Sequence, residues 1–281
     1  MKKILTMAYF ATAALCTTMT LSSCSNDNEG NDGNGAIGAA VNPKTVFTGG
    51  LPKIVAGMTI QTNKKGQVSA IQAEDETVTF EYVEPTTRAA NSPNVIMTVE
   101  SSEEKKQVFN LYLNKNGFVK HCEETNYHKN PRESEWNTDH KNETWDFTYN
   151  DDGQLLTMLR SEGGNEKTTI KYQDGNIVET ATVSADEPKE SNSCKVYYTS
   201  AKVTSPIENK GCLMAFDATF GVDMDEMGYA YYAGILGKST KNLPVRLVDD
   251  ENNPMIFSWI LNSLGYPISL ECDHDTYTFV W

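Results

Sequence analysis

Residues 145–155 read Trp-Asp-Phe-Thr-Tyr-Asn-Asp-Asp-Gly-Gln-Leu, and this short stretch decides the fold class. Trp145, Phe147 and Tyr149 alternate with Asp146 and Thr148, the period of a strand that buries one face. Asn150 to Gly153 then has turn chemistry. An Asn side chain caps the turn, and a Gly supplies the φ > 0 that a tight hairpin needs. Leu155 follows two positions after the glycine and starts the next apolar alternation.

The same unit recurs along the chain. Turns of this type read Asn63-Lys-Lys-Gly66, Asn114-Lys-Asn-Gly117 and Asn262-Ser-Leu-Gly265, with a shorter one at Gln173-Asp-Gly175-Asn176. Val68, Val119, Leu155 and Ile177 each lie two residues after a turn glycine. Phe109, Leu111 and Leu113 alternate with Asn110 and Tyr112, and Tyr277, Phe279 and Trp281 with Thr278 and Val280. The glycines are 51, 36, 22 and 90 residues apart, so the pattern is a degenerate hairpin meander rather than a solenoid of fixed period. The expected fold is mainly β: a long, curved antiparallel meander sheet over residues 45–281, a partial barrel that does not span the membrane. Inward aromatics at 145, 147 and 149 belong to its core.

One segment departs from period two. Met224, Met227, Tyr231 and Ile235 step by three and four, which predicts an α-helix over residues 223–237. Asp223 is placed to cap it, and Gly237 to end it. The Met and Tyr stripe is expected to dock on the buried face of the sheet.

Composition bounds the function. The chain has 281 residues, with 24 Lys+Arg against 38 Asp+Glu and a formal charge of −14. That excess of acid excludes a nucleic-acid partner, because phosphate contacts need clustered Lys and Arg. Leu, Ile, Val and Phe total 57 residues, about a fifth of the chain. A sheet with a solvated face explains that low fraction, since its polar positions, such as Thr168, Lys171, Glu179 and Thr182, need no core.

The N-terminus is a targeting segment. Lys2 and Lys3 precede a moderately apolar run, Ile4 to Leu21, which Leu21-Ser22-Ser23-Cys24 closes. That tetrad resembles the bacterial lipobox, which implies a signal peptide over residues 1–23 and lipidation at Cys24. The 258 residues left would carry 22 − 38 = −16 charges. Residues 24–44 are rich in Asn, Asp and Gly and read as a flexible tether. Its acidic residues Asp27, Glu29 and Asp32 look like the surface-export signal of Bacteroidota lipoproteins. The expected location is the outer membrane, lipid-anchored at Cys24 and exposed at the cell surface.

With the lipobox, the acidic tether, the Tyr-Asn-x-x-Gly-x-Leu hairpins and the run Gly237-Lys238…Lys241-Asn242-Leu243-Pro244, the chain resembles a Bacteroidota surface lipoprotein family of unknown function. That family is described as having a porin-like fold, which implies a long antiparallel sheet. The hairpins are also similar, more loosely, to tyrosine-aspartate repeats. The resemblance covers roughly residues 45–281 and brings no catalytic residues with it.

The residues carry no catalytic or metal signature. His121, His128, His140 and His274 match no zinc spacing, and the sequence contains no HExxH, G-x-S-x-G, Walker or G-x-G-x-x-G motif. Asp223, Asp225 and Gly228 imitate the start of a calcium loop, but Gly234 stands where a bidentate Glu is required. No cofactor is expected. The reading is a non-catalytic binding or interaction module with a glycan or a surface protein as partner. The alternative is an envelope carbohydrate-active hydrolase working through acidic residues. Tyr127, Trp136 and Trp145, in a polar stretch between residues 126 and 145, form the candidate binding surface, because sugars stack on exposed aromatic faces. Cys122, Cys194, Cys212 and Cys272 remain after processing and are expected as free thiols, with two disulfides as the alternative.

Overall fold

The computed structural model describes residues 41–84, 92–102, 105–129, 135–138, 142–161, 165–186 and 191–281. The expected signal peptide, Cys24, most of the expected tether and His140 lie outside the described residues.

Strands β1 (Ile54–Val55), β2 (Met58–Thr62), β3 (Val68–Gln72), β4 (Thr77–Tyr82) and β5 (Val95–Ser102) open a chain of hairpins. β6 (Lys105–Leu113), β7 (Val119–His128), the two-residue β8 (Asn137–Thr138) and β9 (Glu143–Tyr149) continue it. β10 (Leu155–Arg160), β11 (Glu166–Gln173), β12 (Asn176–Ser184) and β13 (Asn192–Tyr197) follow. β14 (Ile207–Glu208) pairs only with β15 (Asn242–Leu243), apart from the main sheet. β16 (Arg246–Asp249), β17 (Pro254–Leu261), β18 (Pro267–Cys272) and β19 (Asp275–Val280) complete the order.

Sequential neighbours pair antiparallel, as the turn spacing predicts. Three pairings depart from simple succession: β7 with β9, β13 with β16, and β19 with β1. The last of these closes the sheet. Ile54 faces Val280 on one side and Thr59 on the other, so two residues of β1 bridge the first and last long strands. Among the described residues, sixteen strands form a closed antiparallel ring, with β8 added outside it on β7. The partial barrel expected from the sequence is corrected to a complete one, because closure removes the two bare edges an open sheet would leave.

The turns have the predicted chemistry. The Asn63 carboxamide oxygen accepts from the Lys65 and Gln67 N–H groups at 2.9 and 3.1 Å, and Asn114 does the same for Asn116 and Phe118. Asn262 repeats this with Leu264 and Tyr266. Gly153 has φ +83°, and a Cβ there would also approach the Phe118 ring to 2.9 Å. Both facts require glycine.

Period two sorts the faces. Val95, Met97, Val99, Phe109, Leu111, Trp145, Phe147 and Ile170 point inward and are buried. Asp146, Thr148, Lys167 and Lys171 point outward and are exposed. Thr168 departs from the expected solvated face: it is buried, and its hydroxyl pairs with that of Thr182 across the strands at 2.8 Å.

Between the neighbours β13 and β16, residues 198–245 leave the wall, and their buried part, from Cys212 to Leu236, fills the lumen. The Val119 N–H donates to the Ile235 carbonyl at 2.8 Å, and the Thr180 hydroxyl to that of Phe220 at 2.6 Å. The Tyr229 hydroxyl donates to Glu76 at 2.6 Å, beyond β3. The excursion thus touches the wall on several sides.

Its helix is shorter than expected, Met227–Tyr232, and is preceded by a π-helical turn over Phe216–Phe220. Asp223 does not cap it. Asp225 adopts φ +39°, which breaks the helical path, and Arg160 pairs with the carboxylates of both Asp223 and Asp225. The Met and Tyr stripe is buried as expected, but Tyr232 and Ala233 are buried too. A helix that is apolar on every side is one enclosed by protein rather than laid on a sheet.

Cys122, Cys194, Cys212 and Cys272 are buried free thiols, and a closed ring needs no covalent staple. Burial, followed by nearby carboxylates, pushes the Cys194 and Cys272 thiols up to about 11. All four should react with a thiol reagent in guanidinium without reductant, and stay silent in folded protein at pH 8. Fewer than three reactive groups after denaturation would contradict the free-thiol arrangement.

Candidate functional site

Alternating strands divide the connections between two rims. The Asn-x-x-Gly turns at 63–66, 114–117, 150–153 and 262–265 share one rim with the Asp174-Gly175 turn. The described chain also enters there, since the Gln67 side chain donates to the Val41 carbonyl at 3.4 Å. Lys238 and Lys241 close over this rim, their N–H groups donating to Gly153 and Gly175. Lys44, Lys53, Lys64, Lys65, Lys115, Lys210, Lys238 and Lys241 are exposed on it, with Asp151, Asp152, Asp174 and Glu208 among them. The opposite rim is acidic: Glu74, Asp75, Glu100, Asp186, Asp223, Asp225, Asp250, Glu251 and Asp273 are exposed there, with Lys105 and Lys167.

Two of the three residues predicted for a binding surface come together near the acidic rim. Lys106 sits over both rings, its ammonium 5.2 Å from the Tyr127 centroid and 4.5 Å from that of Trp136. β8 brings Trp136 back onto the outer wall, pairing Thr138 with Tyr127. Both aromatics are half-buried. An ammonium over two aromatic faces is a cation–π arrangement that presents charge and flat apolar area side by side.

Trp145 does not belong to that surface. It is 1% exposed, lies parallel to Phe147 at 6.2 Å and donates its indole N–H to Glu124 at 3.1 Å. The Arg160 guanidinium covers its other surroundings, 4.7 Å from the ring. The alternation that put Trp145 inward prevails over its nearness in sequence to the polar stretch. Glu124, itself 3% exposed, also accepts from Gln107 and Asn126. Through Arg160 this buried group latches the wall to Asp223 and Asp225 of the lumen segment.

The described histidines form no cluster with one another. His121 pairs with Asp146 on the outer wall at 2.7 Å, while its neighbour Cys122 points inward. Among the described residues no group of three or more His, Cys, Asp and Glu is placed to hold a metal ion.

Sequence reading missed one feature. β1 is only two residues long, so below it the wall has a notch between β19 and the start of β2. A cavity of about 110 Å3 opens there, lined by Val55, Met58, Leu270, Tyr277 and Phe279 of the wall and by Met214, Phe216, Met224 and Tyr229 of the lumen segment. Asp217 stands in it. Burial, then Asp223 and Asp225, pushes its carboxyl up to about 7, against one N–H from Met224 at 3.2 Å. Burial and Asp225 also push Glu226 up to about 7. A two-residue strand leaves too little pattern for period two to reveal the notch.

The profile of a domain of unknown function with a porin-like fold matches residues 60–269. The chain belongs to this family. Among solved structures, a porin-like protein from Bacteroides uniformis ATCC 8492 aligns with a TM-score of 0.55 at 17% identity, covering 79% of this chain and 88% of that one. At that identity the likeness speaks for the fold alone. No curated protein matches the chain.

In this member of the porin-like family the resemblance to a porin lies in the ring and not in the lumen. Barrels of 16–18 strands in porins leave an aqueous channel. Here Tyr231, Phe220, Met227 and Ile235 occupy that space, each no more than 1% exposed. Over most of the wall the polarity is also reversed relative to a spanning barrel, which carries its apolar band outward, although Ile256, Ile260 and Ile268 are exposed on β17 and β18.

Proposed function

We propose that this protein is an outer-membrane lipoprotein, anchored at Cys24 and exposed at the cell surface, that acts as a non-catalytic binding module for a glycan or another surface protein. The observation that carries this reading is the filled lumen. With its interior occupied by its own chain and charges on its outer wall, the barrel has its rims and outer face left for contact. Val41 enters at the lysine-bearing rim 17 residues after Cys24, a reach of roughly 60 Å. Lysines at an anionic lipid surface contribute about 1 kcal/mol each, which supports turning that rim toward the bilayer. The acidic rim and the Tyr127–Lys106–Trp136 face then project outward.

Two measurements test this. Metabolic labelling with a palmitate analogue should mark the wild type and not Cys24→Ala; labelling of the variant would refute the anchor. In calorimetric titration against a glycan panel and envelope proteins, Trp136→Ala should weaken binding by about tenfold while shifting the melting temperature little, since the ring is half-exposed. Unchanged affinity would remove this face from the reading. Product release during the titration would favour an envelope hydrolase instead.

A further inference from the structure

We infer that the notch between β19 and β2 is a binding site for small organic cations with an apolar body, of the alkyl- or arylammonium class. It lies apart from the Tyr127–Trp136 face and does not depend on it. Three observations lead here.

The first is shape. The β1–β2 turn at Ala56 and Gly57 ends partway along the wall, and the ladder between β1 and β19 pairs Ile54 with Val280 and Val55 with Phe279 and ends where the Ala56 N–H donates to the Thr278 carbonyl at 2.9 Å. Below it the cavity reaches from the outer wall to Met214 and Tyr232 inside the lumen. An engineered cavity of about 150 Å3 holds a benzene molecule. A volume of about 110 Å3 that is open on one side suits a phenyl ring or a short alkyl chain, with its head group at the mouth.

The second is chemistry. Methionine, leucine, valine and aromatic side chains form the walls, and Asp217 is the carboxylate set among them. Three other polar groups of the lining are engaged: Tyr229 donates to Glu76, Tyr232 to the Met214 carbonyl at 2.8 Å, and Asp225 is paired with Arg160. Among the described residues no lysine or arginine lines the cavity. An ammonium held at Asp217 would also lie beside the Tyr277 ring, where a cation is favoured.

The third is the field. The groups that act on Asp217 are Asp223 and Asp225, and Tyr277 senses its charge from β19. Asp273 and Asp275 flank Tyr277, and Glu76 stands behind Tyr229. Arg160 pairs with Asp223 and Asp225 and offsets part of their charge, but with Asp217, Asp275 and Glu76 the carboxylates outnumber it, so the mouth attracts a cation and repels a carboxylate. With the Asp217 carboxyl near 7, most of it is protonated at pH 6 and charged at pH 8. Cation affinity should therefore rise by about tenfold between those two values.

The test uses the full chain carrying Cys24→Ser, free of detergent, with methionine methyl signals as reporters. Benzylammonium should shift Met58, Met214 and Met224, which line the cavity, in a saturable way, and leave Met97 and Met158 of the distant core unmoved. Benzyl alcohol should bind at least tenfold more weakly at pH 8, and phenylacetate should produce no shift. Asp217→Asn should bring benzylammonium down to the level of benzyl alcohol and remove the pH dependence, while retained benzyl alcohol binding reports an intact pocket. A Cβ at Gly228 meets nothing within 4 Å, so Gly228→Leu should fill the pocket and abolish both shifts without loss of folding. Equal affinity for the alcohol and the ammonium, or binding that survives Gly228→Leu, would overturn the proposal. Trp136→Ala should leave these shifts unchanged, so failure at the outer face and failure here are separable.

Discussion

Trp145→Ala should be among the most damaging single substitutions in the protein, lowering stability by about 3–5 kcal/mol from the lost ring and the cavity left behind. The residue is 1% exposed, and its removal takes away the partner of Phe147. It also leaves the buried Glu124 carboxylate without its indole donor and the Arg160 guanidinium without its aromatic platform. A buried charge deprived of a donor carries its own penalty of about 1–3 kcal/mol. Urea titration followed by tryptophan-independent circular dichroism measures the loss. If Trp145 were a contact residue, as its place in the polar stretch suggested, the variant would keep its midpoint and lose only a partner. A shift below about 1 kcal/mol would refute the buried latch.

Gly234→Val should cost a similar amount, on the order of 3–5 kcal/mol, for a different reason. Gly234 ends the lumen helix at φ +78°, where a β-branched residue is strained. Its Cβ would lie 2.7 Å from the Cα of Pro43 and 3.2 Å from its Cβ. Pro43 has no free side chain to swing aside, and the chain is buried again at Val46 and Phe47. Phe47 stacks on Tyr232 at 6.1 Å and meets Tyr231 edge-on at 5.5 Å. Overpacking at a contact of this kind adds about 1–3 kcal/mol to the backbone strain. The urea midpoint should fall with the slope unchanged, because the same surface is exposed on unfolding. Gly228→Ala, in open space on the same helix, is the control and should cost little or nothing.

The two substitutions mark what could and could not be read from residues in a line. Trp145 had two readings in the sequence, one from strand alternation and one from its polar neighbourhood. The first is right, because alternation reports a local geometric fact: neighbouring side chains on a strand point to opposite faces. Nothing local separates Trp136 from Trp145 beyond that. Trp136 stays half-exposed because the short β8 returns it to the outer wall, where Lys106 covers its ring. For Gly234 the local signal was absent. Its requirement for glycine comes from Pro43, 191 residues away in the chain.

What the sequence determined by itself was every property that period and turn chemistry encode. Alternating aromatics and aliphatics, punctuated by Asn-x-x-Gly, specified antiparallel hairpins, most of their succession and the side that the large apolar residues face, because those follow from local contacts. The apolar stripe of residues 224–235 likewise announced burial. Tertiary structure alone decided that the sheet closes, that residues 198–245 turn into its lumen, and that a notch remains beside β19. Closure joins Ile54 to Val280 through a strand of two residues, too short to carry a pattern. A buried helix looks the same in sequence whether it lies on a sheet or inside a ring. Which of these occurs depends on how much apolar surface the closed wall leaves to be covered, and that quantity exists only once the wall has formed.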